Sequence, residues 1–97
     1  MTVYVLVIDA AQGERTGADS FTACVAHAEA RPDGARLAVQ DVLREWVPPF
    51  SPRAVLAEIA AVAHRYRIRL VHGDAHARGF VAELLQVVGR ERARRVR

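Results

Sequence analysis

The sequence predicts one α/β domain with a mixed sheet, built in the order β-β-β-α-β-α. Its 97 residues are enough for a single hydrophobic core, and 52% apolar against 26% charged residues is typical of a globular domain. A proline-rich stretch at residues 48–52 divides the chain. Before it, apolar and β-branched residues run in segments of strand length. After it, apolar residues recur every three or four positions, as on one face of a helix.

Three strands are predicted before the proline-rich stretch. Residues 2–8 form an unbroken apolar run, which predicts a strand buried on both faces near the centre of the sheet. A second strand follows over residues 20–28 and a third over about residues 35–44. The turn at residues 31–34 (RPDG) joins them into an antiparallel hairpin, because proline presets φ and glycine accepts the left-handed conformation. The first strand then pairs with the second across the loop at residues 10–19.

Two helices and a fourth strand are predicted after the proline-rich stretch. Ser51 is the expected N-cap and Pro52 the first residue of a helix of about 15 residues. One apolar stripe on this helix consists of Val55, Ile59, Val62 and Tyr66. The fourth strand is expected over residues 68–72. A second helix is expected over residues 78–88, with Gly89 as its C-cap.

Two aspartates end the two strands that this topology can make neighbours. A right-handed crossover returns the fourth strand to the sheet, and beside the first strand it would run parallel to it. Asp9 and Asp74 would then meet at one edge. Two carboxylates about 4 Å apart repel by roughly 4 kcal/mol at an effective dielectric of about 20, which favours a bound Mg²⁺ or Mn²⁺ between them. The alternative is that both residues only end strands or cap helices, which aspartate does very commonly.

Basic residues concentrate in the second half of the chain. All 14 are arginine, so a lysine-dependent phosphate loop is excluded. Residues 51–97 carry ten arginines and four acids, and five of those arginines lie within residues 90–97. We expect the Arg-rich tail to contact phosphate backbones, together with the second helix. The expected nucleic-acid-binding residues are Arg78, Arg90, Arg92, Arg94 and Arg95. A solvated, frayed terminus is the alternative for the tail.

The sequence predicts a cytoplasmic location. Cys24 is the only cysteine, which excludes an internal disulfide, and the first residues lack the basic region of a secretory signal. No apolar run approaches the roughly 20 residues needed to cross a bilayer.

Three segments, in this order and at this spacing, resemble the nuclease domain of phage terminase large subunits. The first is YVLVID at residues 4–9, with Gly13 and then DSFT at residues 19–22. The second is VLREWVPPFSP at residues 42–52, leading into the first helix. The third is VHGD at residues 71–74, followed by a helix with Phe80. The WVPPFSP stretch is the most distinctive, and the likeness extends over nearly the whole chain.

The resemblance implies a ribonuclease H-like fold and a divalent-metal-dependent endonuclease, a hydrolase that cuts concatemeric DNA during packaging of a phage or prophage genome. By this match Asp9 is the first-strand acid and Asp74 is the acid that ends the fourth strand. Both would be catalytic and would bind Mg²⁺ or Mn²⁺ in a two-metal site. Double-stranded DNA is the implied substrate, a packaging ATPase domain or other terminase and portal components are the implied partners, and a bacterial host cell is the implied setting.

The chain departs from that family in three respects. It ends before the fifth strand and the following helix, where the family's third metal-binding acid lies. Ala75 and His76 stand where the family often has an arginine and an aromatic residue, and no Walker motif of the ATPase half is present. We therefore expect residues 1–89 to form a partial nuclease domain, truncated before the fifth strand, and residues 90–97 to form the tail. An uncovered edge on the fourth strand would favour self-association.

Alternatives remain open at this stage. The chain could be a catalytically inert prophage remnant that acts at most as a DNA- or protein-binding module, or another ribonuclease H-like protein such as a Holliday-junction resolvase or a transposase core. Asp19 could be an accessory metal ligand or could only begin a strand. His72, Asp74 and His76 alternate, so on an extended backbone they would share a face and could bind a transition metal. Polar residues that merely end a strand are the more common case.

Overall fold

The described part of the chain forms four strands and two helices in the predicted order. A computed structural model describes residues 2–11, 19–74 and 77–95, with side chains described as far as Gly89. The elements are β1 (Tyr4–Asp9), β2 (Phe21–Ala30), β3 (Arg36–Trp46), α1 (Pro52–Arg65), β4 (Leu70–Gly73) and α2 (Arg78–Arg95). The mixed α/β class is confirmed.

The strands form one sheet in the order β3-β2-β1-β4. β2 is antiparallel to both of its neighbours, whereas β4 is parallel to β1. The predicted hairpin and the predicted return of the fourth strand to the first are therefore confirmed. Gly34 has φ of 86° in the hairpin turn, the left-handed conformation expected of it.

Both helices pack against the same face of the sheet. Alternate residues of β1 and β2 point to this face, and they form one buried cluster with residues of α1 and α2. The cluster includes Leu6, Ile8, Phe21, Ala23, Val25, Val55, Ile59, Ala63, Leu84 and Val88. Val7, on the other face of β1, is 44% exposed. The prediction that the first strand is buried on both faces is therefore wrong, although its central place in the sheet is right.

The start of α1 follows the sequence prediction. Ser51 is the N-cap, its side chain accepts a hydrogen bond from the backbone N–H of Ala54, and Pro52 is the first helical residue. The indole N–H of Trp46 donates to the Glu58 carboxylate, which ties the end of β3 to this helix.

The end of α2 does not follow the sequence prediction. The helix continues through Gly89 to Arg95, so Gly89 is an internal helical residue and not a C-cap. Residues 90–95 of the predicted tail therefore extend α2. The sequence signal misled because a glycine followed by polar residues is typical of a helix end, whereas arginine and alanine beyond it are themselves good helix formers.

Candidate metal site

Asp9 and Asp74 stand side by side at the adjoining ends of two parallel strands. Val7 pairs with His72 and Ile8 pairs with Gly73, so the next residue on each strand is an aspartate. Neighbouring strands lie about 4.8 Å apart. Both aspartates are exposed, so each carboxylate is accessible to a cation from solvent. The sequence prediction that these two residues become neighbours agrees with this register.

Gly73 sets the position of Asp74 against α2. A Cβ on Gly73 would lie 2.9 Å from the Cβ of Ala77 and 3.2 Å from Cγ2 of Val81. Only glycine therefore lets the first turn of the helix pack this closely on the strand end. The Oδ1 atom of Asp74 accepts a hydrogen bond from the backbone N–H of Ala77 at 3.1 Å, so Asp74 also caps this turn.

The capping and metal-binding interpretations of Asp74 are compatible. A carboxylate has two oxygens and about four lone-pair sites, and the bond to Ala77 uses one of them. A cap that holds the side chain in one rotamer also fixes the direction in which the other oxygen can bind. Among the residues that the structure describes, none forms a hydrogen bond or ion pair with the Asp9 carboxylate.

Glu45 is a third acid at this end of the sheet, and the sequence reasoning missed it. Asp9 pairs with Thr22, and Thr22 pairs with Glu45, so the three form one row across β1, β2 and β3 on the face opposite the helices. Glu45 is two strand spacings, or about 10 Å, from Asp9. The signal that could have placed Glu45 is the alternation along β3. Val42, Arg44 and Trp46 point toward the helices, so Glu45 points to the opposite face.

Arg78 lies beside Asp74. An open depression of about 270 Å³ is lined by Val71, Gly73, Asp74, Arg78 and Val81. Arg78 is exposed, so its guanidinium can reach an anion bound next to the Asp74 carboxylate. The side chains of Arg90, Arg92, Arg94 and Arg95 lie outside the described residues, and their proposed contacts with nucleic acid stay predictions.

Among the residues that the structure describes, the other predicted ligands are not assembled into a larger site. Asp19 is exposed, two residues before β2 begins. His72 is exposed on β4, and His76 lies outside the described residues. Within residues 2–11, 19–74 and 77–89, no three His, Cys, Asp or Glu side chains form a group that could hold a metal ion. The accessory role of Asp19 stays a prediction.

A histidine between two carboxylates occupies the opposite end of the sheet. His27 Nδ1 lies 2.6 Å from Oδ2 of Asp41, and its Nε2 lies 2.8 Å from Oε1 of Glu29. Hydrogen bonds to Asp41 first, and then to Glu29, raise the pKa of His27 above 6.5. The ring edge packs against Tyr4, with centroids 5.4 Å apart. The sequence did not reveal this cluster, because Asp41 contacts His27 only as a result of a shift in the register between β2 and β3.

That shift is a β-bulge. Val25 pairs with Val42 and Ala26 pairs with Gln40, so Asp41 is the extra residue on β3. The bulge turns the Asp41 side chain toward His27, on the face that carries the helices. Asp41 therefore lies on an edge strand of the sheet, and its carboxylate faces His27.

The chain matches no protein-family model, and it matches neither a curated protein nor a solved structure. In the described part of the chain, no helix combines the length and the apolar character needed to cross a membrane.

Proposed function

We propose that this chain carries part of a divalent-metal-dependent DNA endonuclease site of the terminase type, in which Asp9 and Asp74 bind the metal ion. The observation that carries the proposal is the parallel register of β1 and β4, which brings these two acids to adjoining strand ends. The sheet order β3-β2-β1-β4, with two helices on one face, is compatible with a ribonuclease H-like fold.

The donor set fits a hard cation. Carboxylate oxygens are the ligands that Mg²⁺ and Mn²⁺ prefer, and both ions accept several water ligands beside one or two carboxylates. A bound ion of this kind would activate water and stabilise the leaving oxygen of a phosphodiester. Asp9 and Asp74 would hold the ion, and Arg78 would bind a phosphate oxygen next to it.

Metal binding is the first test, because it does not require catalysis. Mn²⁺ titrated into the protein should give a saturable heat by calorimetry and should raise the melting temperature, since a ligand that binds only the folded state stabilises it. Loss of an outer partner of a metal ligand already costs roughly 10–100-fold in affinity. Asp9→Asn and Asp74→Asn should each cost at least as much.

The substitutions separate charge from fold. Asparagine caps a helix as well as aspartate does, so Asp74→Asn keeps the cap on α2 and removes the charge. Glu83→Gln, which changes an exposed residue of α2, is the matched control and should leave metal binding unchanged. Protein that is fully folded, yet shows no metal-dependent heat or melting shift, contradicts the proposal.

Cleavage is the second test. With Mg²⁺ or Mn²⁺, the protein should nick supercoiled plasmid DNA, and Asp9→Asn should abolish nicking while Glu83→Gln does not. Metal binding together with salt-sensitive DNA binding, but without nicking, would favour the alternative that the chain is an inert DNA-binding module. In that case Asp9→Asn should leave DNA binding unchanged or slightly stronger, because it removes a negative charge near the phosphates.

A further inference from the structure

The face of the sheet opposite the helices is apolar at its centre and exposed. Residues of the four strands point to it in register, and we call this surface the open face. Among them Val7 is 44%, Leu43 56% and Leu70 50% exposed. Its central residues are Val5, Val7, Cys24, Ala26, Leu43 and Leu70. No helix of the described chain covers them, whereas a sheet face that stays in water is normally polar.

Charged side chains lie at the two ends of the open face, and the two ends have opposite sign. Asp9 and Glu45 lie in the row at one end, and Arg36 lies at the other, paired with Ala30. The bulge keeps a further charge away from the centre, because it directs the Asp41 carboxylate to His27 on the helix side.

We propose that the open face binds the open face of a second copy of this chain, with the strands of the two copies antiparallel. Charge polarity selects this arrangement. A two-fold axis that lies between the two sheets, perpendicular to the strands, places Arg36 of one copy over Glu45 of the other. This contact occurs twice in each dimer. An axis along the strands would place acid over acid, which is unfavourable.

The same axis brings the central row of one copy onto the same row of the other and places Leu43 opposite a small residue. It runs along the row of Leu70, Val5, Ala26 and Gln40, so each of these residues meets its own copy. Leu43 then faces Ala38 of the second copy. Aligned packing of this kind interdigitates side chains between sheets about 10 Å apart.

The area of the open face fits a weak dimer. Four strands about 4.8 Å apart span roughly 19 Å, and the eight residue steps from Glu45 to Arg36, not counting the bulge, span about 27 Å. The product is about 500 Å² for each copy, somewhat below the roughly 800 Å² of a standard interface. We therefore expect a dissociation constant of the dimer in the micromolar range or higher. The proposal does not rest on the metal site.

A pair of leucines on one strand provides the first test. Leu43 lies on the open face, whereas Leu37 points to the opposite side of the same strand and is 46% exposed. Sedimentation equilibrium should show a monomer–dimer equilibrium for the unchanged chain. Leu43→Ser should raise the dissociation constant about tenfold or more, because each dimer loses two leucine contacts. Leu37→Ser should leave it unchanged.

A charge exchange provides the second test and fixes the orientation. Arg36→Glu and Glu45→Arg should each weaken the dimer, because each places like charges opposite one another. The double variant should restore the dissociation constant to within about threefold, since the pair is re-formed with exchanged signs. Circular dichroism of each variant serves as the folding control.

Three results would overturn the proposal. A monomer at every concentration up to the solubility limit excludes a second copy as the occupant. A dimer that Leu43→Ser leaves intact uses another surface, such as the edge of β4. A double charge variant that dimerises no better than either single variant excludes the antiparallel arrangement.

Discussion

Two glycine substitutions should change the stability of this protein in opposite directions. At Gly73 the added methyl group of alanine would lie 2.9 Å from the Cβ of Ala77, closer than Cβ atoms approach in real structures. The second contact, 3.2 Å to Val81, comes from the same helix. The start of α2 therefore has to move away from β4. Gly89 is inside the helix, and among the described residues no heavy atom beyond its own helical turn lies within 4 Å of the added methyl group.

The expected magnitudes follow from these surroundings. Overpacking of this kind costs about 1–3 kcal/mol, so Gly73→Ala should lower the free energy of unfolding by that amount. Alanine inside a helix is more stable than glycine by about 0.8–1.0 kcal/mol, so Gly89→Ala should raise it. In a domain of this size 1 kcal/mol corresponds to roughly 4–8 °C in the melting temperature.

Urea unfolding followed by circular dichroism measures both variants against the unchanged chain. If the urea midpoint shifts while the denaturant dependence of the unfolding free energy stays the same, the substitution has changed stability. A stable Gly73→Ala variant would refute the close approach of α2 to the end of β4, and with it the fixed position of Asp74. A destabilised Gly89→Ala variant would indicate a left-handed glycine, and the helix would then end at Gly89.

Two further substitutions test local features. Ser51→Ala removes the side-chain acceptor at the start of α1 and should lower the free energy of unfolding by about 1 kcal/mol, measured by the same unfolding experiment. Because hydrogen bonds to Asp41 and then Glu29 raise the folded pKa of His27, its stabilising contribution is complete below the unfolded value of 6.5 and is lost as pH rises through the higher folded pKa. Unfolding midpoints should therefore fall across that range, and His27→Gln should flatten the dependence; an unchanged slope in the variant would contradict this role.

The sequence was sufficient for the order and pairing of the elements because each prediction used a strong local signal. Ser51 and Pro52 begin α1 as expected, and the RPDG turn joins β2 to β3. The neighbourhood of Asp9 and Asp74 depended on one condition, that the fourth strand returns beside the first. The order β3-β2-β1-β4 meets that condition, but the handedness of the crossover decides only which face of the sheet the connecting helix covers.

The errors concern properties that only the assembled sheet decides. An apolar run such as residues 2–8 predicts a strand, but it cannot show how many layers cover that strand. The bulge at Asp41 depends on the register between β2 and β3, and a register is a property of two strands. Gly89 carries a helix-stop signal in isolation, yet the helix continues past it.

The candidate metal site and the open face share one cause, the alternation of side chains along β1. Val5 and Val7 point away from the helices, and two residues after Val7 the same side of the strand ends in Asp9. An apolar surface of this kind is stabilised when it is covered, whereas a carboxylate at its margin is stabilised by a cation and by water. Asp9 therefore lies at the margin of the open face, whereas Asp74 caps the first turn of α2, and neither function requires the other. In the dimer Glu45 would pair with Arg36 of the second copy. Glu45 is about 10 Å from Asp9, which is roughly the Debye length at about 0.1 M salt, so the charge of Asp9 is largely screened there. Loss of metal binding in Asp9→Asn should consequently leave the dimer intact, and loss of the dimer in Leu43→Ser should leave metal binding intact, so each experiment tests only its own proposal.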